Sequence, residues 1–265
     1  MPRGVGVRAA AVAGGEAPVA QARDAATVVL LRDTPAGVEA LLLCRARQMD
    51  FAPGAYVFPG GSVDPADGAG LDWAGPSPAE LSAVLGVPAG RCRAAVCAAV
   101  RETFEECGVL LAGDQPLPGD GPLTQDREAL LAGTASLGEV LRRRGLVLPA
   151  DVLIPWGRWI TPEAAERRYD TWFFAAAMPA GQVPDASAES DSAVWLTPAG
   201  ALAAARAGEI VLLPPTAVTL AELVGHDTVA GALAAPRTIT PRMPTVLVED
   251  GTTWLEMPDG VEYPL

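Results

Sequence analysis

Three glutamates carry the densest chemistry in the chain: Glu102, Glu105 and Glu106 follow one another at i, i+3 and i+4 in a segment that reads as a helix, Ala94–Gly108. Val96, Val100, Phe104 and Cys107 recur along an apolar stripe, which leaves the acids crowded on another face. Like charges at that spacing repel by a few tenths of a kcal/mol per pair. Glu105 and Glu106 also stand in the last turn, where the macrodipole is negative and carboxylates lose roughly 0.3–1 kcal/mol each. A helix built only for solubility would carry arginine there. Three convergent carboxylates are the donors a hard divalent cation such as Mg²⁺ or Mn²⁺ requires, and the cation would relieve their repulsion. The bland alternative is a solvated acidic face.

The rest of the composition narrows the chemistry. All nineteen basic residues are Arg, so a phosphate loop of the Walker type, a Schiff-base lysine and pyridoxal phosphate attachment are excluded. His226 is the sole histidine, which leaves nothing from which to build a Ser-His-Asp triad or a multi-histidine metal site. Cys44, Cys92, Cys97 and Cys107 show no C-x-x-C spacing and read as small buried hydrophobes. A net charge of −13 argues against nucleic acid and anionic membranes as partners, and no stretch reaches the ~18 apolar residues of a membrane span. A cytoplasmic location and a small-molecule ligand are the corresponding expectations. Two-fold assembly into a homodimer is the default for a soluble oligomer.

With 265 residues and 50% apolar positions the chain is long enough for one large domain. Residues 1–22 read as a disordered leader and 23–265 as a single domain. Ala26–Leu31 and Glu39–Arg45 are strands around a turn, and Tyr56–Phe58 is a short strand ending at Pro59-Gly60-Gly61. Residues 68–93 shift to Pro, Gly, Ala and Asp and read as an insertion, with a short helix from Ser77 on the Ser-Pro-Ala-Glu cap. The main helix follows, stopped by Gly108. A loop-and-helix stretch runs from Leu111 to Arg144. Strands are expected at Val152–Ile160, Arg168–Ala177 and Ser192–Thr197. The region 198–265 reads as three helices, after Pro198, Pro215 and Asp227, and a hairpin around Asp250-Gly251. This order implies an α+β fold with a mixed sheet between helices.

These residues carry a resemblance. Gly61-Ser62-Val63-Asp64-Pro65-Ala66-Asp67 and Arg101-Glu102-Thr103-Phe104-Glu105-Glu106-Cys107-Gly108-Val109 resemble the Nudix box, G-x5-E-x7-R-E-U-x-E-E-x-G-U, with U aliphatic. Asp67 stands at the Glu position and Thr103 at an aliphatic one, and the central spacer, Gly68 to Val100, is far longer than x7. The Asp variant with a long insert is similar to the CoA diphosphatases of the animal peroxisomal type. Leu41-Leu42-Leu43-Cys44-Arg45 and Gly54-x3-Phe58-Pro59-Gly60-Gly61 resemble part of their CoA signature, with Leu43, Ala46 and Asp50 replacing its Thr, Ser and second Arg.

The resemblance implies an α/β/α sandwich and metal-dependent hydrolysis of the diphosphate in a nucleoside diphosphate linked to another group, CoA or acyl-CoA being favoured. ADP-ribose, NADH and nucleotide sugars are the rival substrates, and a catalytically silent binding or regulatory module is the rival class. No stretch of the S-Q-P-W-P-F-P type that marks the NADH branch is present. By the same resemblance the Gly60 carbonyl, Glu102, Glu105 and Glu106 would hold Mg²⁺ or Mn²⁺, and Arg101 would brace loop to helix. Glu102 or Glu189 would take the proton from the attacking water. Without lysine, arginines must hold the remaining phosphates, and Arg45, Arg47 and Arg168 are the expected ones, with Arg158 a further strand-borne candidate. Trp156, Trp159 and Trp172 could stack on a base or fill the core.

Overall fold

The structure, a computed structural model, describes residues 3–49, 52–112, 123–187, 189–250, 252–258 and 260–265. Asp50, part of the upstream signature, and Gly251, in the expected hairpin turn, lie outside the described residues, as does 113–122 of the expected loop-and-helix stretch. The chain opens on helix α1 (Arg3–Ala13), followed by strands β1 (Ala22–Thr34) and β2 (Gly37–Arg45) and the short β3 (Ala55–Val57) and β4 (Gly60–Ser62). The insertion contributes β5 (Trp73–Ala74) and α2 (Pro78–Leu85), and then α3 (Ala89–Cys107) crosses the sheet. Next come α4 (Leu123–Leu131), α5 (Leu137–Arg143), β6 (Leu148–Pro149), β7 (Ile154–Ile160), β8 (Arg168–Ala177) and β9 (Ser190–Leu196). The C-terminal part holds α6 (Pro198–Arg206), β10 (Val211–Leu212), α7 (Pro214–Leu223), α8 (Val229–Ala234), β11 (Pro241–Arg242), β12 (Thr245–Glu249) and β13 (Thr252–Glu256).

The main sheet is mixed, with β1 at its centre. β8 lies parallel along one edge of β1, while β2 and β4 run antiparallel along the other. Alternation along β1 separates two cores. Val28 and Leu30 join Val96, Val100 and Phe104 of α3 on one face, and Val29 and Leu31 join Leu202, Ala217 and Leu220 of α6 and α7 on the other. This is the expected α+β sandwich, and it is what holds α3 rigidly over the sheet. Burial of a side chain the size of Phe104 stabilises by about 1.5–3 kcal/mol.

Helix α3 begins five residues earlier than its periodicity suggests, at Ala89. Tertiary partners hold the added turn: Arg91 pairs with Asp24 and Asp170, and Arg93 donates to the carbonyls of Gly68 (2.8 Å) and Leu71 (2.6 Å). The end of the expected insertion is therefore helical. Thr103, the polar residue at an aliphatic position, is fully buried because its hydroxyl donates back to the Ala99 carbonyl at 2.7 Å. Ser77 caps α2 through the expected reciprocal bonds with Glu80.

The leader expected to be disordered is, from Arg3 to Ala13, a helix, and β1 begins inside its last residue. An isolated helix of this length is marginal in water. Packing against the β12–β13 hairpin supplies the missing stability: Gly6 approaches Thr253 so closely that a Cβ would overlap its hydroxyl, and Ala9 is buried. Gly6→Leu should undock α1, read as new proteolytic cleavage within residues 3–20 at an unchanged main unfolding transition. Cleavage no faster than in the parent would contradict the packing role of Gly6.

Candidate active site

The four residues Pro59 to Ser62 and the C-terminal half of α3 are built against each other. β4 pairs with Ala25–Thr27 of β1, which leaves its backbone facing the acidic face of α3. The Gly60 N–H donates to Glu106 Oε2 at 2.8 Å. At Gly61 a Cβ would lie 2.5 Å from the Glu102 carboxylate, and at Gly60 it would overlap Ala26 and Thr27. Both positions are glycine because carboxylate and strand backbone approach to distances that no side chain permits.

Arg101 neutralises part of the array. Its guanidinium donates to Asp67 through Nε (3.0 Å) and Nη2 (2.9 Å), to Glu102 and Glu105 through Nη1 (2.7 and 3.1 Å), and to the Ser62 carbonyl (2.8 Å). It thus ties the loop after β4 to α3, the brace expected of Arg101, with Asp67 as the acidic partner. Asp67 is 4% exposed and also accepts the Asp64 N–H at 2.8 Å. The burial of Arg101 works against its charge, but its pairs with Asp67 and Glu102 outweigh that and raise its pKa.

Burial raises the pKa of all three glutamates. For Glu102 and Glu105 the pairing with Arg101 opposes the shift, while neighbouring acids add to it. Glu106 is pushed up to about 8: burial dominates, the Gly60 N–H and Arg45 oppose it, and Glu102 and Glu189 reinforce it. Among the described residues, Asp67, Glu102, Glu105, Glu106 and Glu189 are thus set against Arg101 and Arg45, and negative charge is left over. Among the described residues no three acidic, cysteine or histidine side chains converge tightly enough to grip an ion as they stand. The sequence led us to expect such a convergence. Glu102 and Glu105 turn to Arg101 and Glu106 turns to Gly60 instead. The donor chemistry, all carboxylate oxygen with surplus negative charge, still fits a hard divalent cation.

A second guanidinium fixes the end of α3. Gly108 closes the helix in the left-handed conformation (φ 71°), and Arg127 on α4 donates to the carbonyls of Glu105 (3.0 Å) and Glu106 (3.1 Å). Arg127 also donates to the Asp185 carbonyl at 3.1 Å. The 181–189 segment returns the contact, with the N–H groups of Asp185 and Ser187 donating to the carbonyls of Cys107 (2.9 Å) and Glu106 (3.0 Å). Glu189 is thereby carried, solvent-exposed, to the acidic face, and its carbonyl accepts the Ala46 N–H just after Arg45.

The expected substrate arginines part company here. Arg45, at the end of β2, lies within electrostatic reach of Glu106. Arg47 is exposed in the following turn and forms no ion pair with the acids among the described residues. Arg168 is not brought to the site. It is buried, donating to the carbonyls of Thr161 (3.0 Å) and Ala20 (2.8 Å) and to Met243 Sδ (3.3 Å), which spends its guanidinium on structure. Arg158 is likewise taken, by Asp170. Trp156, Trp159 and Trp172 are buried core residues. Arg127 and Asp67 escaped the site reading, and only for Asp67 was there a signal: its place in the box.

Residues 87–223 match the family model described as NUDT19 Nudix domain. The chain belongs to the Nudix hydrolases, of the NUDT19 type. It is 31% identical over 71% of its length to the chicken (Gallus gallus) protein named acyl-coenzyme A diphosphatase NUDT19, and 32% identical over 69% to the human (Homo sapiens) protein of that name. The matches span 62% and 60% of those two relatives. A Nudix hydrolase structure from Alicyclobacillus acidocaldarius superposes with a TM-score of 0.70 at 30% identity, covering 84% of this chain and all of that one. In Nudix terms, the loop half of the box is β4 with Asp64–Asp67, the helix half is the end of α3, and Arg101 joins them across the insertion.

Charged hydrogen bonds of this kind contribute about 1.5–3 kcal/mol. Asp67→Ala removes two from Arg101 and leaves the guanidinium its Glu102 and Glu105 partners, so the net cost should be about 2–3 kcal/mol in a denaturant melt. An unchanged midpoint would show that the brace does not stabilise the fold.

Proposed function

We propose that the chain is a divalent-cation-dependent hydrolase that cleaves the diphosphate bond of a nucleoside diphosphate linked to another group, with CoA or acyl-CoA as its substrate. The observation that carries this reading is the packing of Glu102 and Glu106 against Gly60-Gly61, beside Glu105 and the Asp67–Arg101 brace. The names of the relatives, acyl-coenzyme A diphosphatase, support the substrate.

Glu102, Glu105 and Glu106, with the Gly60 carbonyl, would hold Mg²⁺ or Mn²⁺. Bound there, such a cation would offset the charge of the diphosphate oxygens and make the attacking water easier to deprotonate. The residues of the chain do the remainder. Arg101 favours the charged forms of Glu102 and Glu105 against their burial by direct pairing, and it fixes their direction. Glu189 is our choice for the base: it is exposed to an incoming water, and its charge is felt at Glu105 and Glu106. Glu102, the alternative, is already engaged by Arg101 at 2.7 Å. Arg45, whose neighbour Ala46 is bonded to the Glu189 carbonyl, would receive a substrate phosphate, with Arg47 close by in the following turn. A guanidinium matches phosphate oxygens in pairs.

Glu106→Gln is the decisive variant because the amide oxygen can still accept the Gly60 N–H, so the fold should persist. Substitutions one layer away from a metal cost about 10–100-fold, and loss of this carboxylate should exceed that. The assay follows cleavage of CoA to 3′,5′-ADP and 4′-phosphopantetheine with Mg²⁺ or Mn²⁺, with ADP-ribose, NADH and UDP-glucose in parallel. A fully active Glu106→Gln protein would remove the metal-site assignment. Turnover of ADP-ribose in place of CoA would overturn the substrate, and absence of any turnover would favour a silent binding module.

A further inference from the structure

The box insertion builds one wall of a cleft. That wall, Asp64–Asp67 of the box loop with Gly68–Leu71 of the insertion, faces the α4–α5 connection and the helix ends beside it, Leu130–Glu139, across a space of about 420 Å³, and Arg101 and Glu105 line the same space. That volume lies within the roughly 300–1,000 Å³ typical of small-molecule sites. The cleft is therefore continuous with the carboxylate array and leads away from it.

Its charges decide what it can hold. Among the described residues of the lining Arg101 is the one cation, and it is already turned to Asp67, Glu102 and Glu105. The acids are committed as well: Asp64 accepts the Ala66 N–H at 2.7 Å, and Glu139 accepts the Ser136 N–H at 2.7 Å as part of the α5 cap. Between them the walls are Ala69, Leu71, Leu130, Ala135 and Leu137. A phosphate-bearing group would meet net negative charge and find no unengaged donor side chain with a positive charge. An uncharged chain of amides and methylenes would meet apolar walls without the cost of bringing a further negative charge beside the acids.

We propose that this cleft receives the uncharged arm of the substrate, the pantetheine or acylated pantetheine portion on the far side of the diphosphate from the nucleotide. The inference rests on the diphosphate hydrolase reading for its chemistry and deepens it. It makes the insertion a specificity element, formed where the interrupted box meets α4 and α5.

Two variants fill the cleft from opposite walls: Ala69→Trp on the insertion and Thr134→Trp on the α4–α5 connection, both at exposed positions outside the catalytic array. The probes are pantetheine itself, followed by backbone amide chemical shifts without added metal, and CoA hydrolysis with Mg²⁺. In the parent protein pantetheine should shift amides within 64–71 and 130–139. In both variants its Kd and the KM for CoA should rise at least about tenfold, equivalent to about 1.4 kcal/mol, at an unchanged kcat. Shifts located elsewhere, or variants that bind pantetheine and CoA as the parent does, would overturn the proposal. Parent protein that cleaves CoA with both variants unaffected sinks the cleft and keeps the hydrolase. Parent protein that binds pantetheine in the cleft but cleaves no diphosphate sinks the hydrolase and keeps the cleft.

Discussion

Holding several carboxylates together in a partly dry environment is the constraint on which this structure depends. Each glutamate on the end of α3 is disfavoured three times over, by burial, by its acidic neighbours and by the helix dipole. Only specific partners offset that. A backbone N–H takes Glu106, and a single guanidinium is divided among Glu102, Glu105 and Asp67. The arrangement leaves more carboxylate charge than its partners offset, which is the chemistry that suits the divalent cation proposed for this site.

Much of the fold can be understood as what it takes to keep those partners in place. β1 gives β4 its register, so that Gly60 and Gly61 present backbone to α3 rather than side chains. The apolar stripe of α3, buried against Val28 and Leu30, prevents the helix from rotating away under the repulsion of its own acids. At the far end Arg127 and the Asp185–Ser187 backbone close off the last carbonyls of α3, and in doing so they bring Glu189 in from a distant loop. Arginine is suited to these tasks because one planar fork satisfies several acceptors in fixed directions.

The insertion shows how a box interrupted by many residues can remain one site. Arg101 spans from α3 to Asp67, and Arg93 holds the carbonyls of Gly68 and Leu71, so the start of the inserted segment is fastened to the helix into which its other end runs. Between Leu71 and the start of α3 the chain forms β5 and α2 without disturbing the carboxylates. Loop length costs little entropy once its ends are fixed.

The residues proposed to carry the chemistry were legible in the sequence as a cluster because they are local: i, i+3 and i+4 on one helix, a helix stop at Gly108, and a double glycine at the end of a short strand. The α+β arrangement, a mixed sheet between helices, was legible too, from apolar runs of strand length and from caps such as that of Ser77. Other facts depend on partners far away in the chain, and no local pattern encodes them. Arg168 has the same neighbours in sequence whether it reaches a substrate or, as it does, the carbonyls of Ala20 and Thr161. The Ala-rich start of the chain has the composition of a loose leader, and only the β12–β13 hairpin, some 240 residues away, turns it into a docked helix. Helix periodicity and turn chemistry act over a few residues, so sequence determined which groups could react. The destination of each arginine, and the side of α3 on which the acids find relief, were decided by tertiary packing, because ion pairing and burial are properties of where chains meet.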